Sequence, residues 1–469
     1  MASLAKLIAF ADLAAQAIGH TAITVDLSTE YQAIDGFGFS QAFGRALEFE
    51  NADSTLTKEA LDYLFDTTTG AGFSIVRNRI GSNGTGNSIE PTSPGSATST
   101  PTYVWFTKQA VSYGVNTIYA DAWSAPGFMK TSASDQLAGY LCGATGHTCS
   151  TGDWKQAYAD FLVHYSQMQI STNGQEAIDF IPILYDTLQD AGVNVAIACC
   201  DALGWNTQST YTTAFVSAGV IDDLDVITSH AYSYDAKTLL NQTDLPKWNT
   251  EAGPSSAFAT TWYSSGADNE GFTWANKIAV AMEGFEIEET QSGLHLVDTL
   301  DGATATPSGI FWAFAMWSRY IRPGAVMLGT SGSIHSVITG AFQNTKGTII
   351  LMFTNSGTSS QSAAVSFTGF TAGSASAWLT SQGSTFAATE ATLSGGTVTV
   401  SIPAKGVMTI KLTTGSGSGG IITLTTSTTS SALISSTTAS TAAATTTASS
   451  CTVAIYGQCA GQSYMLVGN

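Results

Sequence analysis

Strand-like and helix-like segments alternate along most of this chain, and this alternation restricts its fold more than any other feature. Strands are predicted at 73–80, 117–122, 193–200, 225–229 and 246–250, where short apolar runs occur. Helices are predicted between them, at 57–64, 154–165, 176–188 and 211–218. Such alternation predicts a parallel α/β fold, and we expect a (β/α)8 barrel over residues 20–330.

The number of strands falls short of the eight that this barrel needs. Predicted strands 117–122 and 193–200 are about 70 residues apart, whereas one strand–helix–strand unit takes about half that length. Residues 154–190 show two helical patterns and no strand. A second gap follows Trp274, where 278–285 is only weakly strand-like. We expect a barrel that lacks one or two of its strands, so another segment would have to close it.

The pattern changes after Arg322. Residues 331–413 contain short alternating strands separated by Gly and Ser turns, which predicts a β-sandwich that a first strand near Thr24 could join. A linker is predicted at 414–450, and its residues 425–450 are nearly all Ser, Thr and Ala. Such a tract cannot build a core and is typical of O-glycosylated stalks in secreted proteins.

Two further features bear on location. Residues 1–19 contain Lys6, an apolar stretch and small residues, as in a secretory signal peptide, although Asp12 also allows an amphipathic helix. Cys142 and Cys149 flank a Gly-containing loop and could form a disulfide in an oxidising compartment. We therefore expect a secreted, extracellular protein.

Charge and composition exclude several classes of partner. The net charge of −19 argues against nucleic acid and anionic membranes, and only 11% of residues are charged, which suits neutral polar ligands. No apolar run approaches the roughly 18 residues that span a bilayer. The scattered Cys and His residues indicate no metal site, and we expect no cofactor. We expect a monomer.

The chemistry of a barrel lies at the C-terminal ends of its strands. The residues at or just beyond the predicted strand ends include Arg77, Trp123, Asp201, His230, Tyr232 and Glu251. Aromatic faces combined with carboxylates and hydrogen-bonding groups suit sugar rings. Glu251 precedes Ala-Gly-Pro and is the first candidate for one of the two carboxyl groups of glycoside hydrolysis, although an exposed loop glutamate is nearly as common.

Several sequences in order resemble glycoside hydrolase family 30, and in particular its fungal xylanase branch, often labelled endo-β-1,6-galactanase-like. They lie at 34–43, 76–82, 120–126, 229–232 and 248–252, and the similarity spans 22–412. The resemblance implies a retaining barrel enzyme with an attached β-sandwich. Residues 451–469 resemble the start of a fungal cellulose-binding module, truncated after its second cysteine.

The resemblance also implies roles for individual residues. Glu251 matches the catalytic nucleophile, and Arg45 resembles an arginine that holds a glucuronic acid branch of xylan. A guanidinium is suited to pair with such a carboxylate. The remaining matches are positions that line the sugar cleft or lie near the nucleophile, namely Arg77, Trp123, His230 and Tyr232.

The chain departs from the family at the acid/base glutamate. In the family this residue lies in an Asn-Glu-Pro sequence at the end of the fourth strand, and the chain contains no Asn-Glu-Pro. The missing strand belongs near the junction of Tyr165 and Ser166, where we interpret the gap as a skipped coding segment. By position Asp201 is the best substitute acid, ahead of Glu283 and Glu286.

Two main functions compete at this point, and a third and weaker interpretation is a cell-wall structural protein without saturable oligosaccharide binding. The first is a secreted, endo-1,4-β-xylanase-like glycosidase that cleaves glucuronoxylan, with β-1,6-galactan as the alternative substrate. The second is a non-catalytic carbohydrate-binding protein that keeps the aromatic cleft but lacks the acid. In either case the partner is a plant polysaccharide, and the C-terminal segment would add contact with cellulose.

Overall fold

A closed barrel of parallel strands and an antiparallel β-sandwich make up the described part of the protein. The computed structural model describes residues 19–40, 45–80, 102–122, 124–134, 137–165, 174–237, 240–285, 288–292, 296–298, 304–415 and 464–468. The predicted signal peptide, nearly all of the predicted linker and most of the predicted C-terminal module lie outside these residues. Among the described helices, none is long and apolar enough to cross a membrane.

The strands are numbered in chain order. They are β1 Thr21–Ile34, β2 Gly38–Ser40, β3 Ile75–Ile80, β4 Thr117–Ala122, β5 Val195–Ala202, β6 Val226–His230, β7 Lys247–Glu251, β8 Glu288–Ser292, β9 Val297–Asp298, β10 Thr306–Pro307, β11 Ala325–Ser331, β12 Val337–Gln343, β13 Ile349–Asn355, β14 Gln361–Thr368, β15 Ala372–Ser381, β16 Ser384–Thr389, β17 Thr392–Ser394, β18 Thr397–Ile402, β19 Gly406–Thr414 and β20 Tyr464–Gly468.

The described helices surround the barrel. They are α1 Arg45–Asn51, α2 Ser54–Phe65, α3 Thr102–Ser112, α4 Lys155–Tyr165, α5 Gln175–Asp190, α6 Trp205–Ala218, α7 Gly271–Phe285 and α8 Gly309–Ser318. The predicted helices are all present, and α5 shows why: its buried residues Ala177, Phe180, Ile181, Leu184 and Leu188 recur at helical spacing and face the core.

The barrel strands follow the order β2-β3-β4-β20-β5-β6-β7-β8, and β8 pairs with β2 to close the ring. All of these pairings are parallel. The five strands predicted from sequence are present, and each begins within two residues of its predicted start. The (β/α)8 architecture is therefore confirmed.

The strand missing from the predicted sequence order is supplied by β20. Tyr464 pairs with Ile118 of β4 and with Val195 of β5, so the C-terminal segment fills the gap between them in parallel orientation. The described residues between β4 and β5 contain helices and turns but no barrel strand. As expected, another segment closes the barrel.

The weakly strand-like stretch 278–285 does not form a barrel strand. This stretch is the second half of α7, where Ala275, Ile278, Ala279 and Met282 are buried at helical spacing. The eighth barrel strand is instead β8, which follows the helix.

The sandwich is built from one ten-stranded sheet in the order β16-β15-β19-β13-β12-β11-β1-β14-β18-β17. As predicted, the first strand joins it: β1 pairs antiparallel with β11 and parallel with β14. The sheet bends so that β13 and β19 contact β18, which makes two facing layers. Because β11 already belongs to the sheet, the sandwich begins at Ala325 rather than at residue 331.

Strand β13 shows how the two units are joined. Its residues Ile349, Leu351 and Phe353 face the interior of the sandwich, while Ile350 and Met352 pack in the cluster that contains helices α7 and α8. This alternation follows from the two-residue period of a strand. The sandwich thus shares an apolar core with the outer helices of the barrel.

Candidate active site

The barrel brings a group of polar and charged side chains together at the C-terminal ends of its strands. Since all eight strands are parallel, these ends lie on one side of the ring. The group comprises Arg77 of β3, Tyr119 and Asp121 of β4, Asp201 of β5, His230 of β6, Tyr232 just beyond β6, and Thr250 and Glu251 of β7.

Glu251 is the most exposed of the three carboxyl groups in this set, with 14% of its side chain exposed to solvent. Its Oε2 accepts a hydrogen bond from Nη1 of Arg77 at 2.5 Å, and its Oε1 accepts one from Oη of Tyr232 at 2.9 Å. Burial alone would raise the pKa of Glu251, but the charges of Arg77 and His230 and the Tyr232 hydrogen bond hold it below its usual value. Glu251 is therefore an ionised carboxylate that is partly exposed, and the solvent-accessible region beside Glu251 and Tyr232 is here called the trough.

Arg77 is the centre of the charge network. Its side chain is 2% exposed, and its Nη2 donates to Oδ2 of Asp121 and lies 3.9 Å from Oδ2 of Asp201. One guanidinium thus faces three carboxyl groups. Burial would lower the pKa of Arg77, but Asp121, Glu251 and Asp201 together raise it, so the group stays charged.

Asp201 is more deeply buried than Glu251 and has no exposed side-chain surface. Its Oδ2 accepts a hydrogen bond from Oη of Tyr119 at 2.8 Å, and its Oδ1 accepts one from Oγ1 of Thr250. Burial raises its pKa, but His230, Arg77 and the Thr250 hydrogen bond outweigh this and lower it. A substitute acid must hold a proton and reach the leaving group, and a buried, ionised Asp201 is poorly placed for both.

His230 lies between the two carboxylates. Its Nε2 is 3.7 Å from Oδ2 of Asp201 and 3.7 Å from Oε2 of Glu251, distances too long for hydrogen bonds. Its ring meets that of Tyr232 edge to face, with centroids 5.7 Å apart. This contact orients the phenol toward Glu251.

Asp121 and Tyr119 are site residues that the sequence-based list omitted. Burial raises the pKa of Asp121 to about 7, and the charges of Asp201 and Glu251 add to the shift although Arg77 opposes it. The two residues are two positions apart in β4 and so share a face of the strand.

Two predicted site residues lack a described side chain. The backbone of Arg45 begins α1, and its side chain lies outside the described part of the protein. Trp123 also lies outside it. Among the described residues, no group of His, Cys, Asp and Glu is arranged to hold a metal ion.

Comparison with known proteins gives the family. Residues 324–410 match the family model of the glycosyl hydrolase family 30 beta sandwich domain. The catalytic domain of GH30 xylanase C from Talaromyces cellulolyticus is 42% identical, with a TM-score of 0.76, and the match covers 84% of this chain and 100% of that one. The chain belongs to glycoside hydrolase family 30. It is therefore a glycosidase by class.

More distant structures agree on the fold. The family 30 subfamily 8 xylanase from Clostridium acetobutylicum is 18% identical, with a TM-score of 0.65 and coverage of 83% of this chain and 99% of that one. An endo-β1,6-glucanase is also 18% identical, with a TM-score of 0.63 and coverage of 83% and 94%. At this identity they show the barrel and sandwich alone.

The family assignment shows why the position of β20 matters for catalysis. The family resemblance places the acid/base glutamate at the end of the strand between β4 and β5, and in this glycosidase β20 occupies that position. The described residues of β20 carry no carboxyl side chain. Among the described carboxyl groups near Glu251, Asp121 and Asp201 are both buried.

Proposed function

We propose that this family 30 glycosidase is a secreted protein that cleaves glucuronoxylan by a retaining, two-step mechanism. Glu251 carries the proposal, because its carboxylate is ionised, held by Arg77 and Tyr232, and open to the trough. Arg45 weakly favours xylan over β-1,6-galactan through the family resemblance. Secretion is supported by the Cys142–Cys149 disulfide, which has a Cα–Cα distance of 5.4 Å.

In the first step a Glu251 oxygen attacks the anomeric carbon of a β-linked sugar. A bond forms between that carbon and the oxygen, and the bond to the leaving group breaks with its electron pair on the departing oxygen. Arg77 and Tyr232 hold the carboxylate in place. In the second step water attacks the same carbon while the bond to Glu251 breaks, and a proton passes from the attacking water to the solvent. Glu251 is then a carboxylate again, and the sugar is released with its original configuration.

The rate of the first step depends on the leaving group. With no carboxylic acid placed to protonate it, a sugar leaves as an alkoxide, and losing general acid help typically costs about 10²–10⁴-fold. A dinitrophenolate needs no proton. We therefore propose slow cleavage of xylan and rapid glycosylation of Glu251 by activated aryl glycosides.

A burst experiment tests this mechanism. Mixing the protein with 2,4-dinitrophenyl β-xylobioside should release about one equivalent of dinitrophenolate quickly and then continue slowly, because the second step lacks a general base. Azide should speed the slow phase and yield a β-xylobiosyl azide, since it attacks without needing a base. Intact-mass analysis and peptide mapping should locate the adduct on Glu251.

Two variants control the experiment. Glu251→Gln should abolish both the burst and the adduct, whereas Glu59→Gln, at an exposed position of α2, should change neither. Equal rates on xylan and on the aryl glycoside would contradict the loss of the acid. An adduct on another residue would remove Glu251 from the role of nucleophile.

The burial of the other carboxyl groups favours a second candidate function. With Asp121 and Asp201 both buried, the chain could bind a polysaccharide in its trough without turning it over. In that case xylo-oligosaccharides would bind with the same affinity to the wild type and to Glu251→Gln, and neither burst nor adduct would form. Calorimetric titration of both proteins separates this function from catalysis.

The monomeric state and cellulose binding by 451–469 stay predictions. Since Tyr464–Gly468 pair with barrel strands, any contact with cellulose would be made by the part of 451–469 that lies outside the described residues.

A further inference from the structure

A cavity of about 450 Å³ lies outside the barrel, between strands β6 and β7, helix α7 and the sandwich. Its lining includes Ala231 and Ala252, which directly follow His230 and Glu251. Ala252 packs in the apolar cluster of α7 and α8, so it faces away from the trough. The lining does not include Glu251 or His230, so the cavity is a neighbour of the active site and is distinct from it.

Three of the sixteen basic residues of the chain line this cavity: Lys237, Lys277 and Lys405. The acidic residue in the lining is Asp235, with carboxylate oxygens 3.2 Å from Nζ of Lys237 and 3.6 Å from Nζ of Lys277. One aspartate against three lysines leaves an excess of positive charge. In a protein with a net charge of −19, such a local excess marks a place where an anion would be attracted.

Lys237 and Lys277 share the single carboxylate of Asp235, and Lys405 and Lys277 also have uncharged neighbours. Nζ of Lys405 donates to the carbonyl oxygen of Ser356 at 2.5 Å and lies 5.0 Å from the ring centroid of Tyr263. Nζ of Lys277 lies 5.0 Å from the ring centroid of Trp274. Carbonyl dipoles and aromatic faces position a cation without neutralising it.

The rest of the lining is suited to a sugar ring. Ala236, Val280 and the half-buried Tyr263 provide apolar surface beside the lysines. The C–H face of a pyranose packs against such surface, whereas a small inorganic anion would leave it uncovered. The volume lies within the roughly 300–1,000 Å³ of small-ligand sites.

We propose that this cavity is a second saccharide site, which binds the carboxylate of a hexuronate unit on an acidic polysaccharide. The lysines bind the carboxylate, in part by displacing Asp235, and the apolar wall receives the ring. The choice of saccharide rests on the proposed function, because the trough would hold the same polymer. The site would retain the protein on acidic chains while the trough engages a neighbouring stretch.

Calorimetric titration with the trough blocked tests this site. The full chain is first labelled at Glu251 with 2,4-dinitrophenyl 2-deoxy-2-fluoro-β-xylobioside and then titrated with glucuronate, with xylotriose carrying a glucuronate branch, with plain xylotriose and with inorganic phosphate. We expect the two uronates to bind and plain xylotriose not to bind. Raising the salt concentration should weaken uronate binding, because exposed charges are screened.

Two substitutions and a matched control complete the test. The double variant Lys237→Gln, Lys277→Gln should weaken uronate binding about tenfold or more, because two charge-assisted contacts are lost. Lys346→Gln, at an exposed turn of the sandwich, should leave it unchanged. Thermal unfolding of each variant shows whether the fold is kept.

Several outcomes overturn the proposal. Equal binding of acidic and neutral saccharides would remove the role of the lysines. Phosphate binding as tight as that of glucuronate would show a general anion site without saccharide selectivity. If labelling of Glu251 fails, the proposed mechanism is wrong, but glucuronate can still be titrated onto the unlabelled protein, so the two failures are distinguishable.

Discussion

The sandwich and the barrel of this glycosidase are assembled in opposite ways. In the sandwich, β11, β12 and β13 are neighbours in both sequence and space, and β1 alone comes from elsewhere in the chain. In the barrel, β4 and β5 are separated by β20, which follows the whole sandwich. The sandwich thus takes one remote strand, β1, from before the barrel, whereas the barrel takes one, β20, from after the sandwich.

The largest expected effect comes from breaking that remote strand. Leu466 lies in register with Ala120 of β4 and Ile197 of β5. Leu466→Pro removes a backbone N–H from the middle of the sheet, where proline is not tolerated because it cannot donate to the neighbouring strand. We expect the amides of β4 and β5 to lose protection in hydrogen exchange while those of β12 and β13 keep it.

Leu466→Val is the matched control, because it keeps the N–H group, and it should retain protection in both units. Equal loss of protection in the sandwich would show that the two units unfold together. Full protection of β4 and β5 in the proline variant would show that β20 is not needed to close the barrel.

A smaller loss of stability is expected from single substitutions in the interiors of the two units, which differ in polarity. Arg77→Met removes the cation that faces three carboxyl groups, and breaking such a buried pair costs about 3–5 kcal/mol. Leu351→Ala in the sandwich should cost a comparable amount, about 2–5 kcal/mol, by leaving a cavity. Urea unfolding at neutral pH measures both.

The dependence of the free energy of unfolding on pH separates the two losses of stability. In the Arg77→Met variant the neighbouring carboxyl groups can take up protons, so this variant should recover part of its stability as the pH falls. The loss in Leu351→Ala should stay constant with pH. Parallel behaviour of the two variants would show that the carboxylates do not respond to the missing cation.

The smallest effect concerns Asp121 alone. Its pKa in the folded protein is raised to about 7 from 3.8, so the folded state binds its proton more tightly than the unfolded state. This group favours folding below pH 3.8 and loses that contribution as the pH rises toward 7. Asp121→Asn stays neutral, so its free energy of unfolding should rise relative to wild type between pH 4 and pH 7.

Urea unfolding at several pH values checks this prediction. Asp201 and Glu251 have lowered pKa values, so their contributions have the opposite sign and are lost as the pH falls, in both proteins. Taking the difference between wild type and variant removes the part of their contribution that does not depend on Asp121. A difference that is flat with pH, or that falls, would contradict the raised pKa of Asp121.

Sequence reasoning succeeded where the signal is local. The barrel strands from β3 to β7 are apolar runs flanked by turns and helices, and the sandwich strands alternate with a two-residue period, so both could be predicted. Glu251, His230 and Tyr232 were found because each follows such a run. The register of the strands then brings Arg77 beside Glu251, as the resemblance implied.

The remaining features depend on long-range pairing. Tyr464–Gly468 is five residues long and follows a core-free tract, so nothing local indicates that it enters the barrel. The stretch 278–285 is weakly strand-like because its apolar residues are dense, and only its packing against α8 shows that it is helical. The sequence alone does not indicate Asp121, because this residue matters through its contact with Arg77.

The position of β20 also has a consequence for biosynthesis. Strand β4 leaves the ribosome roughly 340 residues before its partner, a delay of tens of seconds at about 5–20 residues per second. During that time the edges of β4 and β5 are unpaired, while the sandwich can already form its hairpins. A nascent chain of this kind would need a chaperone to shield those edges, and its yield would depend on how quickly translation finishes.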